Sequence, residues 1–168
     1  AQVSPNIFRE LQDKGILESY TVEIGRLNRE VMPVTPQNTL NPAQEKAFAE
    51  IKEAFSTKNV VLLHGVTSAG KTEIYIHLIA EALERGEQVL YMLPEIALTK
   101  QIVERLRRVF GNRIGLYHSK FSDAERVEIW KKQLSDEPYD IILGVRSSVF
   151  LPFKNLGLVI VDEEHENS

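Results

Sequence analysis

The chain has no cysteine, which excludes disulfides, thiolate-held metal and a cysteine nucleophile within these 168 residues. No apolar stretch approaches the roughly 18 residues that a membrane-spanning helix needs, and no basic-then-apolar leader opens the sequence. A cytoplasmic protein with no membrane partner is therefore expected. A strong bias of charge is missing as well: 20 Lys and Arg face 24 Asp and Glu, for a net charge of −4. That balance is neutral on polyanion partners, because only charge local to a groove decides such binding. What is present, 43% hydrophobic and 26% charged residues, describes one ordinary globular domain long enough to bury a core.

Against that plain background one stretch stands out. Gly65, Val66, Thr67, Ser68, Ala69, Gly70, Lys71 and Thr72 fit G-x-x-x-x-G-K-[ST]. Asn59 to Leu63 ahead of it is apolar and β-branched, and reads as a buried parallel strand. Behind it Ile74, Leu78, Ile79, Ala82 and Leu83 recur at helical spacing, and Gly86 ends the run. Strand, glycine loop and helix N-terminus in that order make a phosphate-binding loop. The glycines let backbone N–H groups converge on one oxyanion, and the helix adds its own unpaired N–H groups. Lys71 is expected to reach the β- and γ-phosphates of ATP, and Thr72 to complete a Mg²⁺ shell. The competing reading is a chance Gly-rich turn.

Around this core the chain divides at about residue 35. Residues 1–35 offer a short helix from Pro5 to Lys14, a Gly15 stop and a loosely alternating Ile16 to Ile24. This suits either the tail of a winged-helix-like domain or an extended arm, followed by a linker carrying Pro33 and Pro36. In residues 36–168, Asn41-Pro42-Ala43-Gln44 reads as N-cap, first turn and capping box, with Ala47, Phe48, Ile51 and Phe55 facing inward. Strand and helix patterns then alternate. Strands are expected at Gln88 to Leu93, Arg113 to His118, Asp140 to Leu143 and Leu156 to Val161. A helix from Thr99 to Phe110 buries Ile102, Val103, Leu106, Val109 and Phe110; another opens with the Ser122 to Glu125 capping box and buries Val127, Trp130 and Leu134. Such alternation predicts an α/β fold, a mostly parallel sheet with helices on both faces.

Ligands of such sheets gather at the carboxyl ends of the strands. Leu158 to Val161 delivers Asp162-Glu163-Glu164-His165 to that edge. Acids closing an apolar strand are costly unless they meet a cation or water. Asp162 therefore reads as the Walker-B acid that holds Mg²⁺, and Glu163 as the base that orients and deprotonates the attacking water. An acidic turn leaving an edge strand is the alternative.

Four further segments carry a resemblance. They are Leu93-Pro94-Glu95-Ile96-Ala97-Leu98-Thr99; His118-Ser119; Gly144-Val145-Arg146-Ser147-Ser148-Val149-Phe150 with Pro152-Phe153; and Leu156 through His165, whose Asp-Glu-Glu-His is a helicase motif II or DEEH box. Together they resemble the first motor lobe of the primosomal protein N′ (PriA) family, over roughly residues 40 to 168. The resemblance implies a RecA-like lobe of a superfamily 2, ATP-dependent DNA helicase that moves 3′ to 5′ on single-stranded or forked DNA in replication restart, with primosome and single-strand-binding proteins as partners. It gives Gln44 an adenine-reading role beside its capping one. It gives Thr99, Arg146 and Ser147 contacts to the DNA backbone, beside the plainer readings of Thr99 as an N-cap and Arg146 as an ion-pair partner of Asp140 or Glu163. Departures are Ser68-Ala69 where Gly-Ser is usual, and Val145 where a Thr is usual. The family's zinc module and second lobe, with its arginine finger, would lie past Ser168. The isolated stretch is then expected to be a nearly inactive fragment. A nucleotide-dependent switch or small-molecule phosphotransferase is the alternative from a different class, and DNA-stimulated ATP turnover separates the two.

Overall fold

The computed structural model describes residues 34–65, 70–94, 98 and 100–162. The expectations for the first 33 residues lie outside this set. The elements are helix α1 (Pro42–Phe55), helix α2 (Lys71–Glu84), strand β1 (Gln88–Met92), helix α3 (Lys100–Phe110), strand β2 (Ile114–Tyr117), helix α4 (Asp123–Leu134), strand β3 (Ile141–Gly144) and strand β4 (Leu156–Val161), with 3₁₀ turns at Gly111–Arg113 and Arg146–Phe150. The strands form a four-stranded sheet in the order β2-β3-β1-β4. Every pairing is parallel, so all carboxyl ends share one edge.

Two clusters fill the two faces of the sheet. On one, Tyr75, Ile76, Ile79, Ala82 and Leu83 of α2 and Leu106 and Phe110 of α3 pack on Val89, Tyr91, Ile141, Leu143 and Ile160. On the other, Ile129 of α4 and Leu151 meet Leu90 and Ile142. The period-2 alternation along β1 and β3 sorts these residues between the faces, while both strands are buried on each side as a central parallel strand must be. Gln88 secures the opposite edge. Its buried amide donates to Tyr139 O (2.8 Å) and accepts from the backbone N–H of Lys154 (2.8 Å) and Asn155 (3.2 Å), which ties the starts of three strands together.

Both capping boxes form as the sequence indicates. Asn41 with Gln44 opens α1, and Ser122 with Glu125 opens α4. Three expectations are corrected. Residues 59–63 are not in the sheet, and Val60 and Leu62 are 82% and 87% exposed. Their composition suits a central strand, but composition does not supply a hydrogen-bonding neighbour on either side. β4 is consequently the sheet edge, with Val159 and Val161 exposed. The second correction is the facing of α4. Val127, Trp130 and Leu134 are exposed, and the fully buried positions are Ile129 and Gln133. The Gln133 side-chain oxygen accepts the Tyr139 N–H (2.9 Å), so a polar residue faces inward to satisfy the loop before β3. That bond turns the helix by about one residue, roughly 100°. Likewise Phe55 is 41% exposed while Ile51 holds the buried face of α1.

The facing of α4 can be measured. Ile129→Ala should cost about 2–5 kcal/mol by urea unfolding, as buried aliphatic truncations do, and Trp130→Ala should cost less. A larger loss at Trp130 would mean that the apolar stripe read from the sequence is the packed one after all.

Candidate functional site

The first part of the site is the start of α2. Gly70 holds the N-cap position in the left-handed region (φ 72°, ψ 29°), where an L side chain is strained. A Cβ there would also run into Nε2 of Gln44. That closeness has a purpose: Gln44 Nε2 donates to Gly70 O (3.1 Å), while its Oε1 accepts the Asn41 N–H (2.9 Å). Gln44 thus caps α1 and braces the glycine loop with one buried amide. Lys71 folds back so that its ammonium donates to Gly65 O (3.1 Å), spanning the loop from its last to its first glycine. Thr72 follows on the first turn of α2. Residues 66–69, between the two glycines, lie outside the described set.

The second part is the end of β4. Asp162 leaves the strand with its N–H on Met92 O (2.9 Å), so the sheet ladder itself places the carboxylate. The fully buried Tyr91 donates its hydroxyl to Asp162 Oδ2 (2.9 Å). Burial first, and then the Asp162 charge, push the Tyr91 phenol far above its ordinary range. It therefore stays protonated and remains a donor to the carboxylate. Its ring meets Tyr75 of α2 edge-on at 5.6 Å. A continuous packed path, Tyr75 to Tyr91 to Asp162, links the first turn of the loop's helix to the acid at the strand end. Sequence reasoning missed Tyr91. The available signal was a tyrosine inside an otherwise apolar central strand, whose hydroxyl has to find a partner when buried.

The third part is the turn after β3. Gly144 is needed there because a Cβ would come within 2.7 Å of Tyr117 O and 2.9 Å of Ser148 Cβ. Arg146–Phe150 then makes a 3₁₀ turn, with Arg146 and Ser147 exposed at the carboxyl edge. Asp140, one partner considered for Arg146, is engaged by Arg113 Nε at 2.7 Å. Thr99 and Glu163 lie outside the described residues.

Glu73 also went unread in the sequence. Although charged it is only 8% exposed. Its Oε1 accepts from Arg105 and from Asn38 Nδ2 (3.3 Å), and its Oε2 is buried with no donor among the described residues. The carboxylate thereby joins α2 to α3 and to the segment before α1. It borders a cavity of about 390 Å³ lined also by Thr35, Asn38, Gln101, Arg105 and Arg108.

By their chemistry the Lys71 ammonium and the backbone N–H groups at the start of α2 suit phosphate, and the Thr72 hydroxyl and Asp162 carboxylate suit a hard cation that prefers oxygen. Among the described residues no cluster of three or more His, Cys, Asp or Glu forms a metal cage. Tyr91→Phe tests the path between the two parts. It keeps the ring packing and removes one charge-assisted hydrogen bond, so stability should fall by only about 1–3 kcal/mol. Magnesium-dependent nucleotide affinity should drop several-fold, with metal-independent binding unchanged. Calorimetry with and without Mg²⁺ reads this directly, and equal losses in both titrations would mean that Tyr91 only packs.

Comparison with known proteins agrees with this geometry. A family model described as DEAD/DEAH box helicase matches residues 41–168. The chain is 37% identical over 164 residues to the replication restart protein PriA of Bacillus subtilis (strain 168), covering 95% of this chain and 20% of that protein. It is 39% identical over 172 residues to the PriA of Haemophilus influenzae, covering 98% and 23%. With the PriA of Synechocystis it shares 43% over 129 residues, covering 77% and 15%. The chain thus spans only about a fifth of the length of these relatives. Its match across residues 41–168, which fold on a parallel α/β sheet, shows that the chain belongs to the DEAD/DEAH box helicase family.

Proposed function

We propose that this chain is the ATP-binding first motor lobe of a DNA helicase that moves 3′ to 5′ and acts in replication restart. The observation that carries the reading is the shared sheet edge. Asp162 ends β4 and the Arg146 turn follows β3, so a nucleotide station and a candidate DNA station open on the same side of one rigid sheet. An enzyme that couples hydrolysis to movement along a strand needs that adjacency; a small-molecule phosphotransferase does not. The resemblance to replication restart proteins over nearly the whole chain supports the same assignment.

In this reading residues 36–168 are the lobe, and residues 1–35 are the tail of a winged-helix-like domain with its linker. Gly65 through Thr72 would cradle the phosphates, with Lys71 as the side chain that would meet the charge of the β- and γ-phosphates. Thr72 and Asp162 would hold Mg²⁺, and Gln44 would contact the adenine while bracing Gly70. Mg·ATP, when bound, supplies the phosphoanhydride and the cation that offsets its charge. Tyr91 keeps the Asp162 carboxylate oriented, and Glu163 takes the proton of the attacking water. Thr99, Arg146 and Ser147 hold the DNA backbone through hydroxyl and guanidinium contacts, which position a strand without reading its sequence. Single-stranded or forked DNA, primosome proteins and single-strand-binding protein are the partners, in the cytoplasm where the chromosome is replicated. This chain holds no cysteine, so no thiolate-bound zinc belongs to the lobe itself.

Two variants of the full-length protein separate the acids. Glu163→Gln should bind Mg·ATP with parent affinity and lose DNA-stimulated hydrolysis by about 10²-fold or more, because the amide keeps its place but takes no proton. Asp162→Asn should instead weaken metal-dependent binding. Parent turnover in both variants would overturn the assignment of these two residues.

A further inference from the structure

The turn that carries Arg146 and Ser147 also presents Phe150, which is 77% exposed. Among the described residues it is the most exposed aromatic side chain, and it sits beside Arg146 and Ser147. The turn is held from below. Ser148 is fully buried, and its hydroxyl and N–H both bond Val145 O, at 2.6 and 2.8 Å. Leu151 is 6% exposed and packs with Leu90, Ile129 and Ile142 in the second core cluster. Val145 N–H in turn reaches Tyr117 O at the end of β2 (3.1 Å). A 3₁₀ helix has three residues per turn, so side chains three apart stack on one face. Ser148 and Leu151 take the inward face. Arg146 with Val149, and Ser147 with Phe150, are left on the two outward faces. Burial agrees, with Val149 53% exposed.

We propose that Phe150 is a stacking platform for a base of single-stranded DNA whose backbone is held by Ser147 and Arg146. This rests on the DNA-binding reading above and adds to it a residue and a kind of contact that backbone positioning does not supply. Phosphate and base of one nucleotide project in different directions. A hydroxyl and an aromatic ring stacked on one face of a short turn, with a guanidinium on the next, offer one partner for each. Aromatic side chains beside a cationic groove are the common device for holding single strands without regard to sequence, since every base has a π-face. A duplex keeps its bases stacked on one another and offers no free face, so the partner is single-stranded. The anchored backbone beneath means that the ring is presented with little ordering left to do on binding.

Salt and base content separate the two kinds of contact. Binding of the full-length protein to an oligothymidine and to an abasic oligonucleotide of equal length is measured by anisotropy across a salt series. Phe150→Ala should weaken oligothymidine binding roughly 5- to 100-fold at every salt concentration, leave the salt slope unchanged, and hardly alter abasic binding. Phe150→Trp should restore the loss. Arg146→Ala should weaken both oligonucleotides and flatten the slope by about 0.7, one phosphate contact on a single strand. The melting temperature of Phe150→Ala, compared with the parent's, separates a binding loss from a folding one. Equal losses on both oligonucleotides, or no loss on either, would overturn the stacking role while Arg146→Ala still reports a DNA site. If the parent binds neither oligonucleotide, the DNA reading fails with it.

Discussion

Strand β1 is hydrogen-bonded to β3 on one side and β4 on the other and is buried on both faces, and the place where it ends decides where the chemistry stands. Its register against β4 pairs Met92 with Val161, so the next backbone N–H, that of Asp162, closes on Met92 O. Its register against β3 pairs Met92 with Gly144, which sets the turn bearing Arg146 one step beyond the same edge. Parallel pairing makes this possible, because each strand must return by a crossover and arrive pointing the same way. A one-residue slip would interchange the two faces of β1 and carry Tyr91 away from Asp162. The buried alternation of Val89 and Tyr91 against Leu90 is what forbids that slip.

The same strand joins the start of α2 to the acid at the end of β4. Tyr91 touches the loop's helix through Tyr75 and the strand-end acid through its hydroxyl. Asp162 and α2 are thereby joined through one fully buried side chain. At the other side of that turn, Glu73 joins α2 to Arg105 of α3, and Gln44 joins Gly70 to the cap of α1. The two described ends of the glycine loop are thus each held by a side chain, Gly65 by Lys71 and Gly70 by Gln44.

Much of this was legible in the residues. The loop motif, the capping boxes of Asn41 and Ser122, the four strands of the sheet and the acid after β4 each have a local cause that sequence displays: a spacing, a cap, an apolar run. What escaped was set by partners distant along the chain. The strand composition of residues 59–63 carries no information about whether a neighbour lies beside them. The stripe Val127, Trp130 and Leu134 has good helical spacing, yet α4 is turned by the claim that the Tyr139 N–H makes on Gln133. Tyr91 and Glu73 look ordinary in the sequence, because their value depends on residues 71 and 32 positions away. Gln44 was open between capping and nucleotide contact, and its amide serves the cap and the glycine loop together.

The central claim is that this lobe holds the nucleotide and one bank of the DNA but supplies only part of the transition-state charge. In related phosphoryl-transfer enzymes an arginine finger is worth about 10³ to 10⁵ in rate, and the described arginines stand on helices, beside Glu87 or Asp140, or in the turn assigned to DNA. The most direct measurement is ATP turnover, with and without single-stranded DNA, by the 168-residue chain and by the full-length protein side by side. The chain alone should bind Mg·ATP weakly, hydrolyse it slower by at least about 10³-fold, and show no response to DNA, whereas the full-length protein is strongly stimulated. Comparable, DNA-stimulated turnover from the two would mean that catalysis is complete within this one sheet, and the divided-site account would be wrong.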